Sequence, residues 1–281
     1  MNFLGGEAAR TRSVKITVKV AAVLGGLCLM LGFIALSVSF VAYNPAFYDR
    51  EFEKYAVRFE YRYDTVNGTY DYDFDKDEYK LVGEGGKYRR AEWLSPEDLK
   101  LVRDKIVAYF SGRDESLQTY VTFVGDAAPS AFYEDIELSH MTDVKTVFTA
   151  ARIFAYVMLP LGLALLALSF FLGPRGTRLA APAFGAAAGA GVILAVLAVI
   201  GIAIAIDFDG AFSVFHQIFF PQGNWQFPAD SRMLAVLPEN LFLDAGIYIM
   251  ASGLGFSVLL GAAGLIYTLA KRRKSPSALL K

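Results

Sequence analysis

Long apolar runs alternate with polar segments along this chain of 281 residues. The runs cover residues 20–43, 149–172, 182–206 and 245–270. Each run has at least the roughly 20 apolar residues that a helix needs to cross about 30 Å of hydrocarbon. The pattern therefore predicts a mainly α fold, in which a polytopic membrane protein forms a bundle of four transmembrane helices.

Basic side chains lie in short segments next to the apolar runs, at residues 1–19, 173–181 and 271–281. Cytoplasmic segments of membrane proteins carry an excess of Lys and Arg. We therefore expect both termini and the 173–181 loop in the cytoplasm, and segments 44–148 and 207–244 outside. The first apolar run is longer than the core of a signal peptide, so it reads as an uncleaved helix.

The 44–148 segment is polar and acidic, with 22 Asp and Glu against 14 Lys and Arg. It is long enough to form a small extracytoplasmic α+β subdomain between the first two transmembrane helices. Alternating residues flank Asn67-Gly68, a dipeptide that favours a type I′ turn, and predict a β-hairpin near 61–74.

Two further elements are predicted in the same segment. Ser95 followed by Pro96 is typical of a helix start, and apolar spacing continues to Gly112, which predicts a helix near 96–111. Residues 117–124 have the apolar composition of a strand.

Composition limits the function classes. Hydrophobic residues make up 55% of the chain and the mean hydropathy is +0.39, as expected for an integral membrane protein. The net charge of −1 gives no reason to expect a nucleic-acid partner. Cys28 is the single cysteine and lies within an apolar run, so neither a disulfide nor a thiolate metal site is expected.

The chain contains only two histidines, and both lie at ends of apolar runs. His140 precedes the second run, and His216 follows the third in a segment rich in Phe with a Trp at 225. The expected topology puts both on the outer side, where aromatic side chains favour the membrane boundary. Because imidazole titrates near neutrality, the pair is a candidate general base and orienter.

Other chemistries fit the sequence less well. No GxSxG motif is present for a serine hydrolase. The histidines together with Glu137, Asp143 and Glu239 could in principle bind zinc, but no HExxH motif occurs, and neither a metal nor another cofactor is predicted.

Several blocks resemble the lipoprotein intramolecular transacylase (Lit) family of bacterial membrane proteins. They are residues 137–145 (ELSHMTDVK), 215–227 (FHQIFFPQGNWQF), 237–239 (LPE), 44–48 (NPAFY) and 94–97 (LSPE). The resemblance covers nearly the whole chain. Residues 58–90 depart from it and look like an insertion.

The resemblance implies an intramolecular O-to-N acyl transfer in the cell membrane. Such an enzyme moves one fatty acyl chain of a diacylglyceryl-modified lipoprotein from its glycerol ester to the α-amine of the N-terminal cysteine. The resemblance makes His140 and His216 the catalytic pair. Candidates for substrate binding or for the oxyanion are Lys145, Arg152, Asn224, Trp225 and Arg232, with Glu137, Asp143 and Glu239 in supporting positions.

Two alternatives stay open at this point. One is a membrane module without enzymatic activity, which binds an envelope partner through its outer domain. The other is a metal-dependent lipid hydrolase.

Overall fold

A computed structural model of the chain describes residues 3–55, 59–64, 69–73, 78–83, 87–92, 94–122, 127–175, 178–228 and 231–273. Within these ranges the chain forms eight helices and six short strands. The helices are α1 (Phe3–Ala42), α2 (Pro45–Lys54), α3 (Pro96–Ser111), α4 (Asp135–Leu172), α5 (Ala180–Ile206), α6 (Phe208–Phe219), α7 (Arg232–Val236) and α8 (Glu239–Arg273). The strands are β1 (Phe59–Asp64), β2 (Thr69–Asp73), β3 (Glu78–Gly83), β4 (Lys87–Glu92), β5 (Tyr120–Val121) and β6 (Ser130–Ala131).

Four helices are long and apolar enough to cross a membrane. The candidate spans are Val14–Ala42 in α1, Asp135–Leu172 in α4, Ala180–Ile206 in α5 and Glu239–Lys271 in α8. The fold is therefore mainly α, and the protein is a multi-pass membrane protein. These helices extend beyond the apolar runs into polar sequence. Hydropathy detects only the apolar part of such a helix.

The described chain divides into two compact units. The transmembrane unit comprises Met1–Ser39, Ala150–Ala211 and Gly246–Lys281. In it, Gly185 and Gly189 of α5 lie against the backbone of α1, at Ala22 and Gly26. A Cβ at either α5 glycine would collide with that backbone, so these small residues permit a close helix contact.

The second unit, which we call the histidine unit, comprises Phe40–Thr149 and Phe212–Ala245. Its core is lined by residues of α2, α3, α4 and α7, by Leu241 of α8, and by the loops around β5 and β6. The fully buried members include Val102, Ile106, Val121, Phe132 and Val236. Helix α4, which carries His140, contributes Met141 to this core.

Helix α3 begins and ends as its sequence predicts. The Ser95 hydroxyl accepts a hydrogen bond from the Asp98 amide at 3.1 Å. Gly112 follows the last turn with φ of 81°, a left-handed conformation that glycine adopts without strain.

The strand pairing differs from the hairpin expected near 61–74. Strand β1 pairs with β4 and β2 pairs with β3, all antiparallel, whereas Asn67-Gly68 lies outside the described residues. Alternation and a turn dipeptide are local signals, and they do not fix which strand is the partner. Of the strand expected over 117–124, the described residues 117–122 form only β5, which pairs with β6, and residues 123–124 lie outside the described ranges.

Helices occupy the expected loop at 207–244 and the polar residues just before the second apolar run. Helix α4 begins at Asp135, so His140 lies inside a helix rather than before it. The expected loop at 207–244 contains α6, α7 and the first residues of α8. The aromatic residues of α6 recur at 208, 212, 215 and 219, which is a helical spacing. Aromatic residues are also typical of a membrane boundary, and the segment was interpreted from that property alone.

Candidate active site

The buried carboxylate of Glu137 fixes the start of α4. One oxygen accepts a hydrogen bond from the Glu134 amide at 2.9 Å, within the first turn. The other accepts the Met233 amide at 3.1 Å and the Ser231 hydroxyl. Glu137 is 1% exposed, and these donors replace the water that a buried carboxylate loses. The start of α4 and the α7 segment are thereby held together.

His140 follows Glu137 by three residues on α4, so the two side chains lie on neighbouring parts of the helix surface. The His140 side chain is 5% exposed. Its ring centroid lies 4.8 Å from that of Phe220 and 5.4 Å from that of Phe227. The ring nitrogen Nδ1 is buried and has no hydrogen-bond partner among the described residues.

His216 lies on α6 and is 7% exposed. Its Nδ1 is 2.8 Å from the carbonyl oxygen of Phe212, one helical turn earlier. A carbonyl only accepts hydrogen bonds, so in the neutral ring this contact assigns the proton to Nδ1. The lone pair of Nε2 then remains available to accept a proton.

Burial also affects the charge of His216. It lowers the pKa of the imidazole below its ordinary value of 6.5, and the hydrogen bond to the Phe212 carbonyl offsets this only in part. The ring is therefore neutral at pH 7, which is the form that accepts a proton.

The two histidine rings face each other. Their centroids are 5.8 Å apart and their planes differ by 26°. The His216 ring also contacts Phe212 at 4.2 Å and Trp225 at 4.9 Å. The pair is thus enclosed by aromatic rings, and the exclusion of water strengthens electrostatic interactions there.

The turn after α6 brings an amide beside the pair. Gly223 has φ of 79°, and Asn224 follows it. Asn224 Nδ2 donates to Asp143 Oδ2 at 2.8 Å and to Ser139 Oγ at 3.3 Å. Gln222 Nε2 donates to the same Asp143 oxygen at 2.6 Å. Asp143 of α4 therefore holds the turn in place.

The remaining residues singled out from the sequence are placed differently. Lys145 Nζ donates to the Asp114 carbonyl at 2.9 Å and lies 3.9 Å from the Tyr109 ring centroid. Arg232 Nη1 donates to the Ala131 carbonyl. Arg152 belongs to the transmembrane unit, and Glu239 is the first residue of α8.

Sequence reasoning did not identify several contacts that shape the site. They involve the Phe212 carbonyl, the Ser139 and Ser231 hydroxyls and the Gln222 amide. The Phe212 carbonyl was within reach of prediction, because it precedes His216 by four residues and α6 has a helical spacing of apolar residues. In the described part of the chain, no group of three or more His, Cys, Asp or Glu is arranged to hold a metal ion.

Four membrane-spanning helices and a buried, facing pair of imidazoles define a multi-pass membrane protein with a candidate acid–base site. The sequence profile of the family described as lipoprotein intramolecular transacylase Lit matches residues 23–242, and the chain belongs to that family. It is therefore an enzyme of the transacylase class that modifies lipoproteins.

Solved structures show the same fold. The chain is similar to the membrane-integral lipoprotein intramolecular transacylase Lit from Bacillus cereus, with a TM-score of 0.62 and 17% identity over 92% of this chain and 98% of that one. Two variants of that protein, each with one histidine replaced, match with TM-scores of 0.59 and 0.55 at 16% and 17% identity. They cover 96% and 97% of this chain and 99% of each variant. No curated protein matches the chain significantly.

Proposed function

We propose that the enzyme moves a fatty acyl chain from the diacylglyceryl ester to the α-amine of a lipoprotein's N-terminal cysteine, with the histidine pair in acid–base roles. The observation that carries the proposal is the 5.8 Å approach of the His140 and His216 rings in a buried aromatic environment. Membership of a lipoprotein transacylase family supports the class of reaction.

The bond changes need one base that later acts as an acid. The amine nitrogen attacks the ester carbonyl carbon, a C–N bond forms, and His216 Nε2 takes the proton that the amine loses. The tetrahedral intermediate then breaks its C–O bond to glycerol, and the glycerol oxygen takes that proton back from the imidazolium. An ester and an amine thus become an amide and an alcohol, without a cofactor.

Positioning supplies much of the rate. The amine and the ester belong to one substrate molecule, so holding them together gives a large effective molarity and no enzyme nucleophile is needed. In this scheme His140 orients the reacting groups beside the base.

The intermediate also needs a hydrogen-bond donor for its oxyanion. The side-chain nitrogens of Lys145 and Arg232 are engaged with main-chain carbonyls. Trp225 is another of the candidates and has an indole N–H that can donate. Its ring contacts the histidine pair, with its centroid 4.9 Å from that of His216. We assign it this role in the proposal.

The proposal places the enzyme in the bacterial cell membrane, with both termini in the cytoplasm and the site at the outer interface. The distribution of Lys and Arg supports this orientation. Diacylglyceryl-modified lipoproteins and the lipid bilayer are then its partners.

Mass spectrometry of lipoprotein N-termini tests the proposal. Cells that produce the protein are expected to accumulate the N-acylated lyso-form, whereas cells with His216→Ala are not. Gln217→Ala changes the exposed neighbour on the same helix and is the matched control. Full lyso-form production by His216→Ala at equal protein level contradicts the proposal and favours a binding module, and inhibition by chelators favours a metal-dependent hydrolase.

A further inference from the structure

The side chain of Asn224 is fixed in one orientation. Its Nδ2 has two N–H groups, and these are directed at Asp143 Oδ2 and Ser139 Oγ. An ionised carboxylate has no proton to donate, so the nitrogen of the amide, rather than its oxygen, must face Asp143. The amide therefore has no N–H left for an oxyanion, which removes the donor role that the sequence suggested for this side chain.

The oxygen of the same amide is left without a partner. Asn224 Oδ1 is buried and accepts no hydrogen bond from the described residues. A buried polar atom without a partner destabilises the fold, and such atoms are rare in folded proteins.

A second buried atom that has no partner among the described residues, Nδ1 of His140, belongs to the same part of α4 that Asn224 binds. Ser139 and Asp143, which both hold the Asn224 amide, are one helical turn apart on α4, and His140 lies between them. Nδ1–H of His140 can donate a hydrogen bond and Asn224 Oδ1 can accept one, and neither atom has a partner among the described residues.

We propose that Asn224 is a positioning residue, whose side-chain oxygen, turned by Asp143, accepts a hydrogen bond from Nδ1–H of His140. The proposal rests on the proposed function. Hydrogen bonds between catalytic groups are often long in the free enzyme and shorten when substrate binds. The contact places the His140 proton on Nδ1 and leaves Nε2 free to face the substrate. Both histidines are then held in the same tautomer, His216 by a carbonyl and His140 by an amide.

The two histidines make this tautomer directly measurable. In protein labelled with ¹⁵N-histidine, His216→Ala leaves one ring, whose nitrogen shifts report the position of the proton. We expect the neutral His140 ring to carry its proton on Nδ1. We also expect Asn224→Ala to populate the other tautomer, while Gln222→Ala, which removes the second amide on Asp143, leaves the ring unchanged.

Activity provides the second readout. Asn224→Ala should lower kcat by about 10- to 100-fold, a typical effect of losing a residue that orients a functional side chain, with little change in KM. Asp143→Ala should act in the same direction, because the amide is then free to turn. Two results overturn the inference. One is a His140 ring that carries its proton on Nε2 while Asn224 is intact, and the other is an Asn224→Ala enzyme whose rate and tautomer are both unchanged.

These outcomes separate the inference from the proposed function. If Asn224→Ala is fully active while His140→Ala is inactive, only the positioning role fails. If His140→Ala is fully active, the role of His140 in the proposed function fails, and the tautomer measurement still decides whether Asn224 orients the ring.

Discussion

The carboxylate of Glu137 accepts a hydrogen bond from the hydroxyl of Ser231, across 94 positions of sequence. The same carboxylate also accepts the main-chain amides of Met233 and Glu134. Ser231 in turn caps α7, because its oxygen accepts the Leu234 amide at 3.2 Å. One buried acid therefore organises the start of α4, three residues before His140, and the segment that leads to α8.

Replacing Glu137 should destabilise the protein strongly. Glu137→Ala leaves three donors without their acceptor, and each buried donor without a partner costs about 1–3 kcal/mol. We expect a large fall in the free energy of unfolding, measured by thermal or denaturant unfolding in detergent. Ser231→Ala removes one donor and one helix cap, and should cost only about 0.5–2 kcal/mol.

Glu137→Gln keeps the shape of the side chain and removes its charge, so it separates the two contributions to stability. The amide keeps one acceptor oxygen, but its NH₂ group faces a donor, so we expect a stability between those of Glu137→Ala and Ser231→Ala. A Glu137→Ala protein that unfolds at the same temperature as the unsubstituted protein shows that the carboxylate does not hold these segments.

A second buried acid should have the opposite effect when replaced. Glu51 of α2 is 1% exposed and lies near Asp244, which accepts hydrogen bonds from Lys54 and Tyr55. Burial raises the pKa of Glu51, and the negative charge of the nearby Asp244 raises it further. A raised pKa in the folded state means that stability is present at low pH and is lost as pH rises through that pKa.

Glu51→Gln should therefore raise the free energy of unfolding at neutral and alkaline pH. The amide presents an N–H to Asp244 at every pH, and its oxygen still accepts the Arg50 Nε hydrogen bond, which is 3.1 Å long in the structure. The measurement is unfolding against pH, with the exposed Glu53→Gln as control. A Glu51→Gln protein that is less stable than the control at pH 8 contradicts this account.

Hydropathy located the four spans because the apolar runs are long and contain few charges. It did not locate the start of α4, since residues 135–148 are helical but polar. That difference matters for the site, because it places His140 and Asp143 on one helix surface where both can meet Asn224. A local pattern predicts a helix, but it does not show which distant segment of the chain will pack against that helix.

The partners of the site residues are distant in sequence, and for that reason they were not predicted. Asn224 binds residues 85 and 81 positions earlier, and the sequence carries no sign of that pairing. The same limit applies to the strands, where Asn67-Gly68 suggested the wrong partner for β1. By contrast, the caps of α3 were predictable because Ser95 and Gly112 act within a few residues.

The orientation in the membrane leads to a prediction from charge. With Cys28 replaced, single cysteines at Asn67 and Ser275 are treated with a membrane-impermeant thiol reagent in intact cells. We expect labelling at position 67 only, because the basic C-terminal tail favours the cytoplasm. Both sites should react after the membrane is permeabilised, which serves as the control. Labelling at 275 but not at 67 in intact cells reverses the orientation.

The two histidines should behave as one catalytic unit. His140→Ala and His216→Ala should each lower the rate of lyso-form production by about 10²- to 10⁴-fold, the usual effect of positioned acid–base groups. The double variant should be little slower than the slower single variant, because groups that act together are not additive. Independent, multiplying losses in the double variant contradict a shared step.

The acid limb of the pH–rate profile tests the base itself. Attack requires a neutral amine, with an ordinary pKa of about 7.7–8.0, and a neutral His216. Burial lowers the pKa of His216, so this ring stays neutral to a pH below 6.5 and loses its ability to accept a proton only under more acidic conditions. With subsaturating lipopeptide, the rate should fall tenfold per pH unit below about pH 8, as the amine alone becomes protonated. It should fall a hundredfold per unit below the pKa of His216, where both groups are protonated. The second break should be absent from the residual activity of His216→Ala, and circular dichroism at each pH checks that the protein stays folded. A second break above pH 6.5, or one that survives His216→Ala, shows that another group is the base.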